Sequence, residues 1–194
     1  MADILSSIDD AVLTGVNSGV SAWNWTTGKT KIDLVNNILS AGAVSENLAF
    51  VNLAYESPVI LPFALGLSAL TLFYTHSKHN EYSNIADLEE KAISNGLLHP
   101  VVEECKSKCA ERGYRDSIYG TVITGVPVFH PDFSSDIGLS YSLFGAGEIL
   151  QGLAHQTMRA DYFPPRKNCV KRGMDNVSNM LKELKTLIPK PAFA

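Results

Sequence analysis

The sequence has little charge and no excess of basic residues. Asp, Glu, Lys and Arg make up 19% of its 194 residues, against roughly 25% in soluble domains. Sixteen Lys and Arg stand against 20 Asp and Glu, so the formal net charge is −4. This balance excludes a bulk positive field that would attract nucleic acid. Apolar residues reach 45%, which excludes an intrinsically disordered chain.

Cysteine is also scarce. The three cysteines, Cys105, Cys109 and Cys169, are too few for a disulfide scaffold, and the odd number leaves at least one thiol unpaired within the chain. Their spacing leaves open whether Cys169 pairs with one of the other two. The first ten residues, MADILSSIDD, contain no Lys or Arg. We therefore expect neither a secretory signal nor an organellar transit peptide here.

The motifs of common enzymes are missing. Gly28-Lys29-Thr30 is no phosphate-binding loop, because Trp23 stands where that motif requires its first glycine. The chain contains no Gly-x-Ser-x-Gly elbow, no Glu-x-x-His and no His-x-x-x-His. We therefore expect a non-catalytic protein without a metal site.

What the sequence does contain is one stretch without any formal charge, residues 57–76. As a helix its twenty residues would be about 30 Å long, the thickness of the hydrocarbon core of a bilayer. Leu, Ile, Val and Phe dominate it, and Tyr55 and Tyr74 stand near its ends, where interfacial aromatics belong. The stretch predicts a transmembrane helix, with a buried helix of a soluble protein as the alternative.

This helix divides the chain into an N-terminal helical segment (1–56), the predicted transmembrane helix (57–76) and a mainly helical region (77–194). The N-terminal segment carries a net charge of −4, and the C-terminal region is neutral. No Lys or Arg lies in the twenty residues before 57, whereas Lys78 and Lys91 follow the stretch. The positive-inside rule then places the C-terminal side in the cytoplasm, stroma or matrix.

The predicted fold is mainly α, with short amphipathic helices around the transmembrane helix. Apolar spacing and stop signals predict helices over 3–16, 32–39, 46–54, 84–94, 100–112 and 175–188. We expect an aromatic loop at Trp23–Trp25 and a turn at 130–132. Residues 117–128 have the composition of a small extended or β-like segment. A second apolar helix is predicted over 137–158, either packed within the protein or crossing the membrane.

The candidate site residues are histidines. His76 and His79 directly follow the apolar stretch, where an imidazole can ligate a tetrapyrrole metal or simply cap the helix end. His155 lies seven residues after Glu148, on the same face of the predicted 137–158 helix. This pair suits a proton path, a metal pair or a buried hydrogen bond. The cofactor, if the chain carries one, is not indicated by these residues.

The function we expect is that of a non-catalytic accessory or structural subunit of a larger membrane complex. Its partners would be the lipid bilayer and other subunits, and an energy-transducing membrane, the inner membrane of an organelle or bacterium, is the natural setting. Two alternatives remain. One is a cofactor- or pigment-binding membrane subunit that uses His76, His79 or His155. The other is a soluble helical domain or an enzyme that uses the Glu148/His155 face.

Overall fold

The computed structural model describes residues 2–96, 100–129 and 135–187, and the regular structure in these ranges is entirely helical. The α-helices are α1 (Ala2–Thr27), α2 (Lys31–Glu56), α3 (Leu61–Ser94), α4 (Pro100–Phe129), α5 (Ser135–Met158) and α6 (Cys169–Leu187). A single 3-10 turn, Pro58–Ile60, leads into α3.

Helices α2 to α5 form an antiparallel bundle in which α5 lies between α2 and α4. At one end, the side chain of Asn52 on α2 donates to the backbone of Asp136 on α5 over 2.7 Å. At the other end, Lys31 donates to the carbonyl of Ala160, just after α5, over 2.6 Å. We call these the Glu56 end and the Lys31 end, after the last and first residues of α2.

Glycines allow α5 to touch both neighbours through their backbones. A Cβ atom on Gly145 would lie 2.6 Å from the carbonyl oxygen of Gly120 on α4. A Cβ atom on Gly147 would lie 2.9 Å from the carbonyl oxygen of Gly42 on α2. Real Cβ atoms do not approach this closely, so any larger residue would push the helices apart.

Helix α3 is packed more loosely. It lies along α2, and its contacts with α4 are towards the Lys31 end, where Lys106 binds Glu89 at 3.0 Å. The combined helix Pro58–Ser94 is, among the described residues, the one helix long and apolar enough to cross a membrane. Only 11% of its most apolar stretch is buried. The expectation of one long apolar helix is therefore confirmed.

Helices α1 and α6 lie against the Lys31 end. The side-chain amide of Asn24 on α1 donates to the carbonyl of Pro164 over 2.9 Å, and Arg172 of α6 lies 5.0 Å from the ring centre of Trp25. Gly28, in the turn between α1 and α2, has φ +78°, and a Cβ there would lie 2.0 Å from the Arg166 carbonyl oxygen. Only glycine fits this turn.

The predicted β-like segment at 117–128 is wrong, because these residues form the second half of α4. The β-branched side chains lower helix propensity by only a few tenths of a kcal/mol each. Packing of Gly113, Gly120 and Ser117 against α5 outweighs that small cost. Composition alone therefore favoured the wrong secondary structure.

Several predicted helices are too short. The predictions at 32–39 and 46–54 are parts of the single helix α2, and 100–112 continues through Gly113 as α4. The first helix continues through Gly15 and Gly19 to Thr27, so Trp23 and Trp25 lie on a helix and not in a loop. Glycine weakens a helix by about 1 kcal/mol without ending it where neighbouring residues favour the helix.

Other predictions are confirmed. Residues 137–158 lie in α5. The predicted end of the 84–94 helix is right, since α3 ends at Ser94, just before Gly96 with φ +65°, but 84–94 is the last part of one continuous helix from Leu61 and not a separate short helix. Helix α6 covers the predicted 175–188 helix up to residue 187 and begins earlier, at Cys169. The predicted turn at 130–132 lies outside the described residues.

Candidate functional site

A continuous group of polar side chains runs through the interior of the bundle, which we call the polar cluster. All four bundle helices contribute to it. Its members are Glu46, Thr71, Tyr74, Tyr82, Cys105, Cys109, Asp116, Glu148, Gln151 and His155.

Glu46 is the innermost member towards the Glu56 end. Its residue is 3% exposed, and its carboxylate accepts hydrogen bonds from the hydroxyl of Thr71 at 3.1 Å and from the amide of Gln151. These two bonds join α2 to α3 and α5. A buried carboxyl is stable only with such partners.

A cavity of about 340 Å³ lies between α2, α3, α4 and α5, with Glu46 in its wall. Glu148 and Asp116 line it together with Glu46, and Arg115 is the one basic residue among its walls. Three carboxyl groups thus face a single guanidinium. Such an arrangement favours protonation of a carboxyl or the approach of a cationic group.

His155 occupies the centre of the polar cluster and is completely buried. Its Nε2 lies 3.1 Å from Asp116 Oδ2, and its Nδ1 is hydrogen-bonded to the hydroxyl of Tyr82. The hydroxyl of Tyr74 lies 3.4 Å from Nε2. In the tautomer protonated at Nε2, His155 donates to Asp116 and accepts from Tyr82. The group is thus suited to pass a proton between the two helices α3 and α4.

Two thiols extend the polar cluster towards the Lys31 end. Cys109 Sγ lies 3.8 Å from the Tyr82 hydroxyl and 3.9 Å from Cys105 Sγ. The hydrogen bond from Cys105 lowers the pKa of the Cys109 thiol to about 7, and it raises the pKa of Cys105. Burial raises the pKa of the Tyr82 hydroxyl. Cys105, Cys109 and Cys169 are all free thiols in this structure.

A buried cluster of charges lies beyond the two thiols, at the Lys31 end of the bundle. Lys31 Nζ lies 2.5 Å from Glu89, and Lys106 approaches the same carboxylate at 3.0 Å. Burial lowers the pKa of Lys31, and the charge of Glu89 opposes this shift. These three charges hold α2, α3 and α4 together, and loss of the Glu89 carboxylate would leave Lys31 buried without a counter-charge.

The three histidines predicted as ligands lie in two places: His76 and His79 are one turn apart on α3, and His155 is buried on α5. His76 is exposed on α3 and hydrogen-bonded to Asn80 at 3.2 Å, and His79 is half-buried on the same helix. Both ring nitrogens of His155 already have partners, so a metal there would have to displace Asp116 or Tyr82. Within the described ranges, no group of three or more His, Cys, Asp or Glu is placed to hold a metal ion. A tetrapyrrole on His76 or His79 stays a prediction, and a visible absorption band would test it.

The predicted Glu148/His155 face does lead to the polar cluster, but through residues that the sequence did not indicate. Asp116 lines the cavity with Glu148 and binds His155, so it connects the two. One missed residue had a signal, because Glu46 is the single charge between residues 34 and 55. Asp116 had none, since it ends a run of ordinary charged residues on α4.

Protein-family models, curated proteins and solved structures were all compared with the chain, and no match was found among them.

Proposed function

We propose that the chain is an integral membrane protein that serves as a non-catalytic accessory subunit of a larger membrane complex. The observation that carries the proposal is the surface of residues 58–73. Every exposed residue in this stretch is apolar. Val59 is 89% exposed and Phe73 is 73% exposed. Side chains of this kind are stable in contact with lipid or with the apolar helices of a neighbouring subunit.

The alternative of a soluble protein requires this helix to be buried. The low burial of its apolar stretch argues against that alternative. In water, a continuous patch formed by Leu65, Leu70, Leu72 and Phe73 would promote aggregation. The patch therefore needs a partner, and a bilayer covers a helix of this length and composition.

Fractionation tests the membrane location. Membranes that contain the native chain are washed with alkaline carbonate, and the pellet is then extracted with detergent. We expect the protein to remain in the pellet and to need detergent for release. Complete release into the supernatant would overturn the membrane assignment.

A second experiment tests the role as a subunit. The native membranes are solubilised in a mild detergent, and the mass of the particle that contains the chain is measured by native electrophoresis and light scattering. An accessory subunit is expected in a particle of defined composition, much larger than 21.1 kDa plus its detergent. A detergent-bound monomer from native membranes would contradict this role.

The polar cluster supports a second candidate function, proton transfer within the bundle. The chain Glu148, Asp116 and His155 joins the cavity to Tyr82, and intramembrane carboxyl groups commonly mark proton paths. The test is proton flux into vesicles that contain the purified protein, for the native chain and for Glu148→Gln and His155→Gln. Flux that both substitutions abolish without loss of the fold supports transfer. Equal flux in all three proteins rules it out.

A further inference from the structure

The exposed apolar surface extends beyond α3 to its neighbours. On α2, the exposed large apolar residues Val44, Leu48, Val51 and Tyr55 repeat at spacings of three and four, which places them on one face. On α4 and α5 the corresponding residues are Ile118, Tyr119, Val122, Val128, Leu139 and Ile149. Together with the 58–73 surface, we call these residues the apolar band.

The four helix segments of the apolar band lie at the same depth in the bundle. The hydrogen bond between Thr71 and Glu46 fixes α3 beside α2. The hydroxyl of Ser45 donates to the carbonyl of Leu143 over 2.7 Å, which fixes α5 beside the same part of α2. The close approach of Gly145 to the carbonyl oxygen of Gly120 fixes α4 beside α5. A bilayer that surrounds 58–73 on α3 must therefore meet α2, α4 and α5 as well.

Charge in the band is confined to the interior. No exposed residue of 41–55, 58–73, 118–128 or 137–153 carries a formal charge. The two acidic residues in these segments, Glu46 and Glu148, both line the cavity inside the bundle. Inward-facing carboxyl groups are the form in which membrane helices tolerate acids.

The basic residues mark one side of the bundle. Residues 32–77, which contain most of α2 and the first half of α3, include no Lys or Arg. Residues 116–158, which contain the second half of α4 and all of α5, include none either. The exposed charges near the Glu56 end are acidic, Glu56 and Asp136. The described lysines and arginines lie towards the Lys31 end: around the start of α2, on the second half of α3, on the first half of α4, in the segment after α5 and on α6.

We infer that α2, α3, α4 and α5 all cross the bilayer at the apolar band, so that the described part of the chain crosses four times and α1 and α6 lie on the same side, where the basic residues are. The inference rests on the proposed membrane location and changes its topology from one crossing to four. The partner that the band fits is the acyl region of a lipid bilayer. By the positive-inside rule, the Lys31 end faces the cytoplasm, stroma or matrix.

The second half of α4 is charge-free only over 117–129, which measures about 20 Å as a helix, about 10 Å less than the hydrocarbon core. Arg115 lies just before this segment, on the side of the Lys31 end, and its side chain is 68% exposed. A long arginine side chain at such a depth reaches the headgroups while its carbon atoms remain among the acyl chains. The short segment is thus compatible with a crossing.

Accessibility of single cysteines to a membrane-impermeant maleimide tests the topology. Three variants of the full chain, Glu56→Cys, Asp136→Cys and Lys182→Cys, each change an exposed residue. Labelling of the native thiols is measured first and subtracted. In sealed vesicles of one orientation, we expect Glu56→Cys and Asp136→Cys to be labelled together, and Lys182→Cys only in vesicles of the opposite orientation. A tag before residue 1 should be digested by protease in the same vesicles as a tag after residue 194.

The possible outcomes distinguish the inference of four crossings from the proposed membrane location on which it rests. Tags on opposite sides, with Asp136→Cys on the side of Lys182→Cys, would show a single crossing and overturn the inference while the membrane location stands. Tags on the same side, together with Asp136→Cys on the side of Lys182→Cys, would show that only α2 and α3 cross, as a hairpin. This outcome would also overturn the inference of four crossings. Release of the native chain by carbonate would remove the membrane location itself.

Discussion

The apolar segments of α3 and α5 are similar in sequence and opposite in surroundings. Residues 57–76 carry no charge and 137–158 carry only Glu148, yet Phe73 on α3 is 73% exposed and Ala154 on α5 is fully buried. The difference follows side-chain size. Helix α5 presents glycines to its neighbours, whereas α3 presents leucine and phenylalanine outward. Small residues permit close helix contacts and large ones suit lipid.

The space around one glycine on each helix shows the same difference between α3 and α5. A Cβ atom added to Gly66 on α3 would meet nothing within 4 Å. A Cβ atom added to Gly145 on α5 would lie 2.2 Å from the Thr124 hydroxyl and 2.6 Å from the Gly120 carbonyl oxygen. A Thr124 side chain can rotate away, but a backbone carbonyl cannot. Helix α5 therefore has no spare room on this side.

The largest expected effect comes from disrupting the contact between Gly145 on α5 and the Gly120 carbonyl on α4. Gly145→Ala should lower the free energy of unfolding by roughly 3 kcal/mol, because α4 and α5 must separate to admit the methyl group. The measurement is the denaturation midpoint of the purified protein in detergent, followed by circular dichroism.

Gly66→Ala is the matched control. It places the same methyl group on an open helix face, and it should stabilise the protein by up to about 1 kcal/mol through helix propensity alone. Equal loss in both variants would show that the contrast between α5 and α3 is wrong.

The next effect tests the outward face of α3. Leu65→Arg places a charge within the exposed apolar surface, where Leu65 is 62% exposed. In a bilayer this change should disfavour insertion by about 3 kcal/mol, and in water it should alter stability by less than about 0.5 kcal/mol. The fraction of the chain that resists carbonate extraction measures the difference.

Ser83→Arg provides the comparison on the same helix. Ser83 is exposed on the part of α3 that lies beyond the apolar band, so its change should leave extraction unaffected. If Leu65→Arg remains in the membrane as fully as Ser83→Arg, the face at Leu65 does not contact lipid.

The sequence predicts the helical class and the apolar helix well, because both depend on composition within one segment. Segment lengths were predicted less well, since Gly15, Gly19 and Gly113 look like stop signals and lie within helices. Gly113 packs directly against Gln156, a contact 43 residues away along the chain. Such contacts decide whether a helix continues, and local spacing cannot contain them.

The polar cluster shows the same limit more sharply. His155 and Glu148 could be found because they share one helix and stand out from apolar neighbours. Tyr82 and Asp116 complete the cluster from α3 and α4, and no spacing rule connects those helices to α5. Glu46 is an exception, because a single charge in an apolar stretch is itself a signal that the sequence contains.

The smallest expected effect concerns the hydrogen bonds that attach α1 to α4 and to the segment after α5. Asp9 accepts two hydrogen bonds of 2.7 Å from Arg159 and one of 2.7 Å from the Tyr114 hydroxyl. Asp9→Asn should weaken this attachment by about 1 kcal/mol, since the carboxylate is partly exposed to solvent. Hydrogen exchange of the α1 amides measures the loss, and Asp10→Asn, at an exposed position, is the control.

The attachment of α1 should also depend on pH. The hydrogen bonds from Arg159 hold the pKa of Asp9 below its usual value, which is about 3.9 in an unfolded chain. A carboxyl group with a lowered pKa stabilises the folded state fully above its unfolded pKa, and this stability is lost as the pH falls through the folded pKa. The native chain should therefore protect α1 better than Asp9→Asn at neutral pH, and the difference should shrink as the pH falls below about 3.9 and through the lower pKa of the folded state. A difference that stays constant as the pH falls through this range would show that the charge of Asp9 does not attach α1.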